Sequence, residues 1–240
     1  VDAAITRGYR LIKDGADIID IGGESTRPGA LPLSADQEWD RIGAVVRALA
    51  QTGTLISVDT YHADTARRAV EAGASIINDV TGGAGDRAMF STIAALGCAY
   101  ILQHTRGTPQ TMNSLATYEC VPKEVAAELA ASIRRAMALG VNRSNIIVDP
   151  GFGFGKALEH NLKLFRELGS LAIEGLPLFI GVSRKTMLGA ITGRPVDQRL
   201  PASIAAALVG AQKGAKILRV HDVAATRDAL AIWSAIEQGV

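Results

Sequence analysis

The sequence predicts an α/β fold of the (β/α)₈ TIM-barrel class, built as one domain over residues 1–240. Short apolar runs alternate with helical patterns along the whole chain, as in folds with parallel strands joined by helices. Glycine follows helical patterns just before the next apolar run, at Gly15, Gly73, Gly97 and Gly214, and it favours the left-handed position after a helix. Hydrophobic residues make up 48% of the chain and aromatic residues only 5%, so aliphatic side chains must fill the core.

Seven apolar runs have the length and composition of buried parallel strands. They lie at 17–22, 54–59, 75–79, 98–103, 145–149, 177–182 and 215–220. Eight segments have a helical pattern, at 2–14, 35–51, 62–72, 86–96, 120–139, 158–168, 199–213 and 224–238. The second of these helices has a start signal, because Ser34 and Gln37 have the spacing of a capping box.

Eight helices with seven strands leave one strand unaccounted for, since a closed barrel of this type needs eight. The first helical pattern begins at residue 2, so we expect the first strand and the first βα loop to precede Val1. On this interpretation the sequence is a barrel domain that is incomplete at its amino end. An open, doubly wound sheet is the alternative, and the regular strand–helix alternation favours the barrel.

Composition narrows the functional class. The 25 basic and 24 acidic side chains give a net charge of +1, which argues against a broad nucleic-acid or membrane surface and leaves room for a local anion site. We find no apolar run of membrane-spanning length and no signal peptide. Cys98 and Cys120 lack metal-ligand spacing, and we expect two free thiols in a reducing cytoplasm.

Polar and charged residues end nearly every predicted strand. Because barrel enzymes carry their sites at the carboxyl ends of the strands, we expect these side chains to face one another around a ligand. Asp59, Asn78 and Asp149 offer acceptors, which suit a donor-rich heterocycle such as an aminopyrimidine edge.

Three further strand-end residues offer positive charge and donors. Lys185, Arg219 and His221 suit phosphate oxygens or a developing anion. We call these six residues (Asp59, Asn78, Asp149, Lys185, Arg219 and His221) the strand-end ring. The glycine-rich loop 22–29 adds three candidate anion contacts, Ser25, Thr26 and Arg27. The sequence therefore predicts a small substrate with a heterocycle at one end and phosphate at the other.

Other charged residues have simpler interpretations. We interpret Asp79 and Asp222 as helix caps or loop anchors. His62 and His160 are predicted on solvated helix surfaces, whereas His104 either lines the site or supports it from behind. The four histidines show no zinc-site spacing. The segment 151–157 resembles a phosphate-binding P-loop, but it is one residue short and ends in alanine.

The strand ends closely resemble those of the dihydropteroate synthase family. The matching segments are IDIGGESTRPG at 19–29, SVDT at 57–60, IIND at 76–79, DPGFGFGK at 149–156, SRK at 183–185 and RVHD at 219–222. They follow the family's order and span nearly the whole chain. The resemblance implies a transferase of folate biosynthesis. It would condense 4-aminobenzoate with 6-hydroxymethyl-7,8-dihydropterin diphosphate to give 7,8-dihydropteroate and diphosphate.

The resemblance also assigns roles to the pterin side of the site. Asn78 and Asp149 are similar to the acceptors of the pterin edge, and Lys185 to the donor of the pterin ring. Asp59 resembles a pterin contact that also stabilises positive charge as the C–O bond breaks.

For the other two ligand parts, the resemblance implies a diphosphate cradle of Arg219 and His221 with Thr26 and Arg27 nearby. Four residues resemble the surroundings of 4-aminobenzoate: Pro28, Phe154, Lys156 and Ser183. Asp59, Lys185, Arg219 and His221 are the residues expected to act in catalysis.

The family also implies features that this sequence does not carry. A first-strand segment resembling N-V-T-P-D-S-F-S-D-G is absent, and with it the Asn expected to help bind Mg²⁺ with the diphosphate. We therefore expect no metal ligand among residues 1–240. The family further implies a cytoplasmic homodimer, associated through the late helices, and a sulfonamide target. Gln103 stands where familiar relatives have Met, which we expect to alter packing at the pterin face.

Two other functions are compatible with a pterin-binding barrel. A pterin-dependent methyltransferase shares the acceptors but does not need Arg219, His221 or the segment 183–185, so these residues favour the synthase. A pterin-binding protein without catalytic activity is the second alternative, suggested by the absent first strand.

Overall fold

The computed structural model describes residues 1–25, 31–108, 110–112, 114–171, 173 and 175–238. Its sheet has seven strands in this part of the chain, all parallel and in sequential order. They are β1 (Ile18–Gly22), β2 (Leu55–Asp59), β3 (Ile76–Asp79), β4 (Ala99–Gln103), β5 (Ile146–Asp149), β6 (Leu178–Ile180) and β7 (Ala215–Leu218). All seven predicted strands are confirmed, with ends that differ by at most two residues.

Helices connect the strands, as parallel pairing requires. They are α1 (Asp2–Lys13), α2 (Ala35–Ala50), α3 (Ala63–Glu71), α4 (Met89–Leu96), α5 (Val121–Ala138), α6 (Leu158–Arg166), α7 (Thr186–Thr192), α8 (Leu200–Gln212) and α9 (Val223–Gln238). The predicted capping box at the start of α2 is confirmed, since the Gln37 amide donates to Ser34 Oγ at 3.2 Å and the Ser34 amide donates to Gln37 Oε1 at 3.0 Å.

The helix α7 was not predicted from the sequence. Its seven residues make fewer than two full turns, which is too short for a helical period to show, and Gly189 lies at its centre. The same holds for three short 3₁₀ helices, Arg143–Asn145, Leu168–Leu171 and Val196–Gln198. The predicted helix from residue 86 begins only at Met89, after a turn in which Asp86 accepts the Ala88 amide.

The core has two layers, one on each face of the sheet. The larger layer lies between the strands and the helices. The smaller one lies on the inner face of the sheet and contains Ile76, Ile101, Ile147 and Phe179, with Ile18, Ala99 and Ile217 against it. Because alternate strand residues share a face, the next inward positions toward the carboxyl ends are also known. Apart from Gly181, which follows Phe179, they are polar: Asp20, Ser57, Asp59, Asn78, Gln103, Asp149 and Arg219.

The sheet curls until its two outer strands approach each other at their carboxyl ends. Arg219 follows β7, yet its guanidinium reaches Asp20 in β1 and Asp59 in β2. This is the geometry of a (β/α)₈ barrel, of which the described residues contain seven strands. None of the helices in the described ranges is long and apolar enough to cross a membrane.

Candidate active site

Arg219 lies at the carboxyl end of the sheet, between two carboxylates. Its Nε lies 2.8 Å from Asp20 Oδ2, and its NH2 lies 3.0 Å from Asp59 Oδ2. The Arg219 side chain is still 44% exposed, while those of Asp20 and Asp59 are 14% and 10% exposed. The guanidinium is therefore held in place by the carboxylates and open to a ligand on its other side.

Burial makes Asp59 an unusual carboxyl group. Removal from water raises the pKa of Asp59 from its ordinary value to about 7. Arg219 opposes this rise by its positive charge, whereas Asp20 and Glu38 add to it. An ionised carboxylate in such surroundings destabilises the ligand-free protein. It is stabilised most when positive charge develops beside it.

Asn78 and Asp149 lie on the same inner face, in β3 and at the end of β5. The Asn78 side chain is buried, with Nδ2 3.4 Å from Asp20 Oδ2 and with Oδ1 lacking any hydrogen-bond partner. Burial also raises the pKa of Asp149, and the positive charge of Lys185 lowers it again. Asp149 Oδ1 accepts the Gly151 amide at 2.7 Å, which leaves Oδ2 for a ligand.

Lys185 lies between the acidic and basic parts of the site. It is the residue before α7, and its Nζ donates to the Phe152 carbonyl and lies 4.7 Å from the centre of the Phe154 ring. Burial lowers the pKa of Lys185 to about 8, while Asp149 raises it. An ammonium here can donate to a heterocycle and stays partly neutralised by Asp149.

Ser183 and His221 form a second pair on the basic side. Ser183 Oγ accepts the His221 amide at 3.2 Å and lies 3.0 Å from His221 Nδ1. The two loops that follow these residues are joined by Arg184, whose guanidinium donates to both carboxylate oxygens of Asp222 at 2.6 and 3.1 Å. Arg184 has a φ of +58°, a strained value that this pairing helps to maintain. The interpretation of Asp222 as a loop anchor is confirmed.

Phe154 and Lys156 lie in the loop between β5 and α6. Lys156 is almost fully buried, and its Nζ contacts the Gly151 carbonyl at 3.0 Å, the Phe154 carbonyl at 3.1 Å and His104 Nδ1 at 2.9 Å. Burial lowers the pKa of Lys156 to about 7. Lys156 therefore supports the backbone of the loop that carries Phe154.

His104 supports this lysine from behind, which is one of the two positions expected for it. Its Nε2 lies 3.0 Å from Glu128 Oε2, and Glu128 also accepts from Arg106. Burial lowers the pKa of His104. A Lys156 ammonium has only donors, so beside it Nδ1 of His104 accepts and Nε2 carries the proton that is donated to Glu128.

Other residues singled out in the sequence have separate outcomes. Thr26, Arg27 and Pro28 lie outside the described residues. Asp79 faces the helices and accepts from Thr81, Gly83 and the Tyr100 hydroxyl, so its interpretation as a loop anchor is confirmed. Gln103 faces inward, and its Nε2 donates to the Val80 carbonyl at 3.2 Å.

The prediction that His62 and His160 lie solvated on helix surfaces is met only in part, since both residues are half-buried. His62 precedes α3, and its ring packs on Tyr61 with a centroid distance of 4.4 Å. His160 accepts the Ala157 amide through Nδ1 at 3.2 Å and packs edge-on against Tyr118. Both sit in the first turn of a helix or just before it, where the side chain folds back on the preceding loop.

Sequence reasoning missed the role of Asp20. It has no assigned function in the sequence analysis, because it lies two residues before the end of β1. The signal that could have found it is the alternation of strand faces, since Asp20 has the same orientation as Ile18 and pairs in register with Ser57. Among the described residues, no group of three or more His, Cys, Asp or Glu side chains could hold a metal ion.

Comparisons with known proteins agree with this geometry. A family model described as pterin binding enzyme matches residues 1–221. The dihydropteroate synthase of Haemophilus influenzae is 42% identical over 236 residues, which cover 98% of this chain and 86% of that protein. The corresponding protein of Escherichia coli is 39% identical over 233 residues, covering 97% of this chain and 82% of that protein.

Solved structures give the same result. The Xanthomonas albilineans dihydropteroate synthase with 4-aminobenzoic acid has a TM-score of 0.93 at 42% identity, covering 98% of this chain and 85% of that chain. The Yersinia pestis dihydropteroate synthase in complex with a sulfonamide drug has a TM-score of 0.95 at 39% identity, covering 99% of this chain and 86% of that chain.

Proposed function

This chain belongs to the pterin-binding enzyme family, and from that membership and its site we propose that it acts as a dihydropteroate synthase. It condenses 4-aminobenzoate with 6-hydroxymethyl-7,8-dihydropterin diphosphate and releases 7,8-dihydropteroate and diphosphate. Its relatives include dihydropteroate synthases solved with 4-aminobenzoic acid and with 7,8-dihydropteroate. The reaction belongs to folate biosynthesis.

The observation that carries this proposal is the division of the site by charge. Acceptors from β2, β3 and β5 face the same space as the cation of Arg219. Such a site suits a substrate with a donor-rich heterocycle at one end and an anionic leaving group at the other. A methyltransferase acting on a pterin would need only the acidic part.

The chemistry is a substitution at the methylene carbon attached to the pterin. The C–O bond breaks, and its electron pair leaves with the diphosphate. The lone pair of the arylamine then forms the C–N bond, and the amine loses a proton to water. Asp59 and Asp149 stabilise the positive charge that develops on the pterin, while Arg219 and His221 hold the departing anion. Preorganised charges of this kind contribute on the order of 3 kcal/mol each to transition-state stabilisation.

The 4-aminobenzoate is proposed to bind beside Phe154 and Ser183, with Lys156 acting on this pocket through the loop. Three contacts support this placement: the Phe154 ring stacks against Lys185, the Phe154 carbonyl is held by Lys156, and the Ser183 hydroxyl is fixed by His221. Thr26, Arg27 and Pro28 are proposed to complete the diphosphate and aminobenzoate sites from the loop after β1.

Mg²⁺ remains a proposal based on the family resemblance. When bound, it would neutralise charge on the diphosphate. The described residues offer no cluster that could hold it, so we assign no step of the reaction to a protein-bound ion. We also propose a cytoplasmic homodimer associated through the late helices. Sedimentation at micromolar concentration tests the dimer, and activity with and without a chelator tests the metal.

The decisive experiment follows diphosphate release by the full-length natural protein given pterin diphosphate, 4-aminobenzoate and Mg²⁺. Release that requires 4-aminobenzoate, with dihydropteroate formed in equal amount, supports the synthase. Omission of 4-aminobenzoate is the matched control. Pterin binding without release would support a binding protein instead, and methyl transfer from methyltetrahydrofolate would support the methyltransferase.

A further inference from the structure

We propose that Asp20 is a positioning residue, which fixes the side-chain amide of Asn78 so that its carbonyl oxygen, and not its NH₂ group, faces the pterin. This inference rests on the proposed function, because it concerns recognition of the heterocycle. Asp20 is assigned no contact with substrate. It acts through Asn78 and, on the other side, through Arg219.

The carboxylate of Asp20 connects four strands at the inner face. Its Oδ1 accepts from Ser57 Oγ in β2 at 2.6 Å. Its Oδ2 lies 3.4 Å from Asn78 Nδ2 in β3 and 2.8 Å from Arg219 Nε after β7. All three neighbours present donors, so both oxygens of Asp20 are occupied by hydrogen bonds.

These contacts decide how the Asn78 amide is oriented. A carboxylate has only acceptors, so the NH₂ end of an amide can face it and the oxygen end cannot. With Nδ2 directed at Asp20, Oδ1 of Asn78 faces away from Asp20. A flipped amide would place oxygen against oxygen and would leave the NH₂ group toward the ligand.

The oxygen of Asn78 gives the second, independent observation. Asn78 is 1% exposed, and its Oδ1 is buried without a hydrogen-bond partner. A buried acceptor left unpaired costs about 1–3 kcal/mol, so native proteins rarely keep one without a purpose. A ligand N–H at this position would satisfy it. Asp20 thus keeps Asn78 Oδ1 oriented toward the ligand. The free-energy cost of leaving this oxygen unpaired is offset when the heterocycle binds.

The link to Arg219 gives the inference a distinctive signature. Arg219 forms ion pairs with both Asp20 and Asp59. Removal of Asp20 therefore leaves the guanidinium with Asp59 as its acidic partner and with a free Nε. Loss of Asp20 is therefore expected to weaken binding of the heterocycle and to leave binding of an anion unchanged or stronger. General damage to the site would weaken both.

The first test compares Asp20→Ala with the unsubstituted protein, using 6-hydroxymethylpterin and inorganic diphosphate as separate probes. We expect the Kd of the pterin to rise about tenfold and the Kd of diphosphate to stay equal or fall. Asp17→Ala is the matched control, because Asp17 lies just before β1 with a side chain 89% exposed. A pterin Kd within twofold of the unsubstituted protein, or parallel weakening of both probes, would overturn the proposal.

A second test exchanges the two side chains and does not depend on how well Asp20→Ala folds. Asn78→Asp alone places two carboxylates against each other, and we expect at least a tenfold loss of pterin affinity. In the double variant Asp20→Asn with Asn78→Asp, the amide nitrogen that replaces Oδ2 of Asp20 donates to the new carboxylate at position 78, which still offers one oxygen to the ligand. Arg219 Nε loses its acceptor at position 20, and the guanidinium is then held by its contact with Asp59. Recovery to within about threefold of the original Kd supports the proposal.

A double variant that binds pterin no better than Asn78→Asp would contradict it. Measurements of pterin binding and of turnover by the unsubstituted protein separate the role of Asp20 from the proposed function. Pterin binding without turnover would refute the synthase reaction and leave the role of Asp20 measurable, whereas failure to bind 6-hydroxymethylpterin would refute both.

Discussion

Arg219 NH2 lies 3.0 Å from Asp59 Oδ2, and this contact joins residues 160 positions apart in the sequence. It links the end of β7 to the end of β2 across the open face of the curled sheet. Burial and the guanidinium act on Asp59 in opposite directions, since burial raises the pKa of its carboxyl group and the charge of Arg219 lowers it. Activity and stability should therefore respond differently when either partner is changed.

Replacing Asp59 with Asn should stabilise the ligand-free protein while impairing the reaction. The pKa of Asp59 lies at about 7, above its ordinary value of 3.8, so the folded protein holds this proton more tightly than the unfolded chain does. The cost of the ionised form is fully present above pH 7 and disappears as the pH falls toward 4. It amounts to at most about 4 kcal/mol at pH 8. We expect Tm at pH 8 to rise by several degrees and kcat to fall on the order of 100-fold.

Thermal unfolding at pH 5 provides the control for Asp59→Asn. There the natural carboxyl is already mostly protonated, so the two proteins should unfold at nearly the same temperature. A lower Tm for the variant at both pH values would mean that the Asp59 carboxylate stabilises the fold, contrary to this argument.

Replacing Arg219 with Met should separate diphosphate recognition from pterin recognition. We expect KM for the pterin diphosphate to rise at least tenfold, while the Kd of 6-hydroxymethylpterin changes less than threefold. Loss of the cation also removes the largest influence that lowers the pKa of Asp59, so the acidic limb of the activity profile should move to higher pH. Equal weakening of both ligands, with an unmoved acidic limb, would refute this division of roles.

Asp79 gives the opposite expectation from Asp59, although it too is a buried aspartate at a strand end. Its carboxylate accepts from the Tyr100 hydroxyl at 2.6 Å and from the Thr81 and Gly83 amides at 2.7 and 2.9 Å. Asp79→Ala leaves these donors unpaired, which costs about 3 kcal/mol. We expect Tm to fall on the order of 10 °C, with KM for both substrates unchanged in the protein that remains folded. A large change in KM would place Asp79 in the binding site.

The contrast between Asp79 and its neighbour Asn78 shows what the sequence can predict. Strand residues alternate between two faces, so adjacent polar residues at a strand end cannot both face the ligand. Convergence of parallel strands then places Asn78, Asp59 and Asp149 together without knowledge of any contact. The regular strand–helix alternation likewise predicts the order of the parallel strands, and the polar strand ends predict which end of the barrel holds the site.

What could not be predicted depends on contacts between loops. The position of Lys156 follows from carbonyl groups that only the folded loop brings together, and nothing in its sequence neighbours indicates burial. The strained backbone of Arg184 likewise depends on Asp222, which is 38 residues away. Short elements such as α7 carry too few residues for a periodic signal. Asp20 is an intermediate case. The side of the sheet on which it lies could be predicted from strand alternation, but the residues that it contacts could not.

Lys156 carries the last prediction, which concerns the aminobenzoate pocket. Three acceptors surround its Nζ: the carbonyls of Gly151 and Phe154, and Nδ1 of His104. Only the ammonium form has three hydrogens to match them. Lys156→Met removes all three donors and should loosen the loop that carries Phe154. We expect KM for 4-aminobenzoate to rise about tenfold, with KM for pterin diphosphate within threefold.

The pH dependence of KM for 4-aminobenzoate shows whether Lys156 supports the loop by its charge or only by the volume of its side chain. Because burial lowers the pKa of Lys156 to about 7, the natural protein should lose one donor as the pH rises from 6 to 9, and its KM for 4-aminobenzoate should increase. Lys185, whose pKa is about 8, titrates in the same range, but its contribution persists in Lys156→Met and can be subtracted. The variant should therefore show the flatter profile. Lys163→Met, an exposed change on α6, is the matched control and should behave like the natural protein. An unchanged aminobenzoate KM in Lys156→Met would show that the loop holds Phe154 without this lysine.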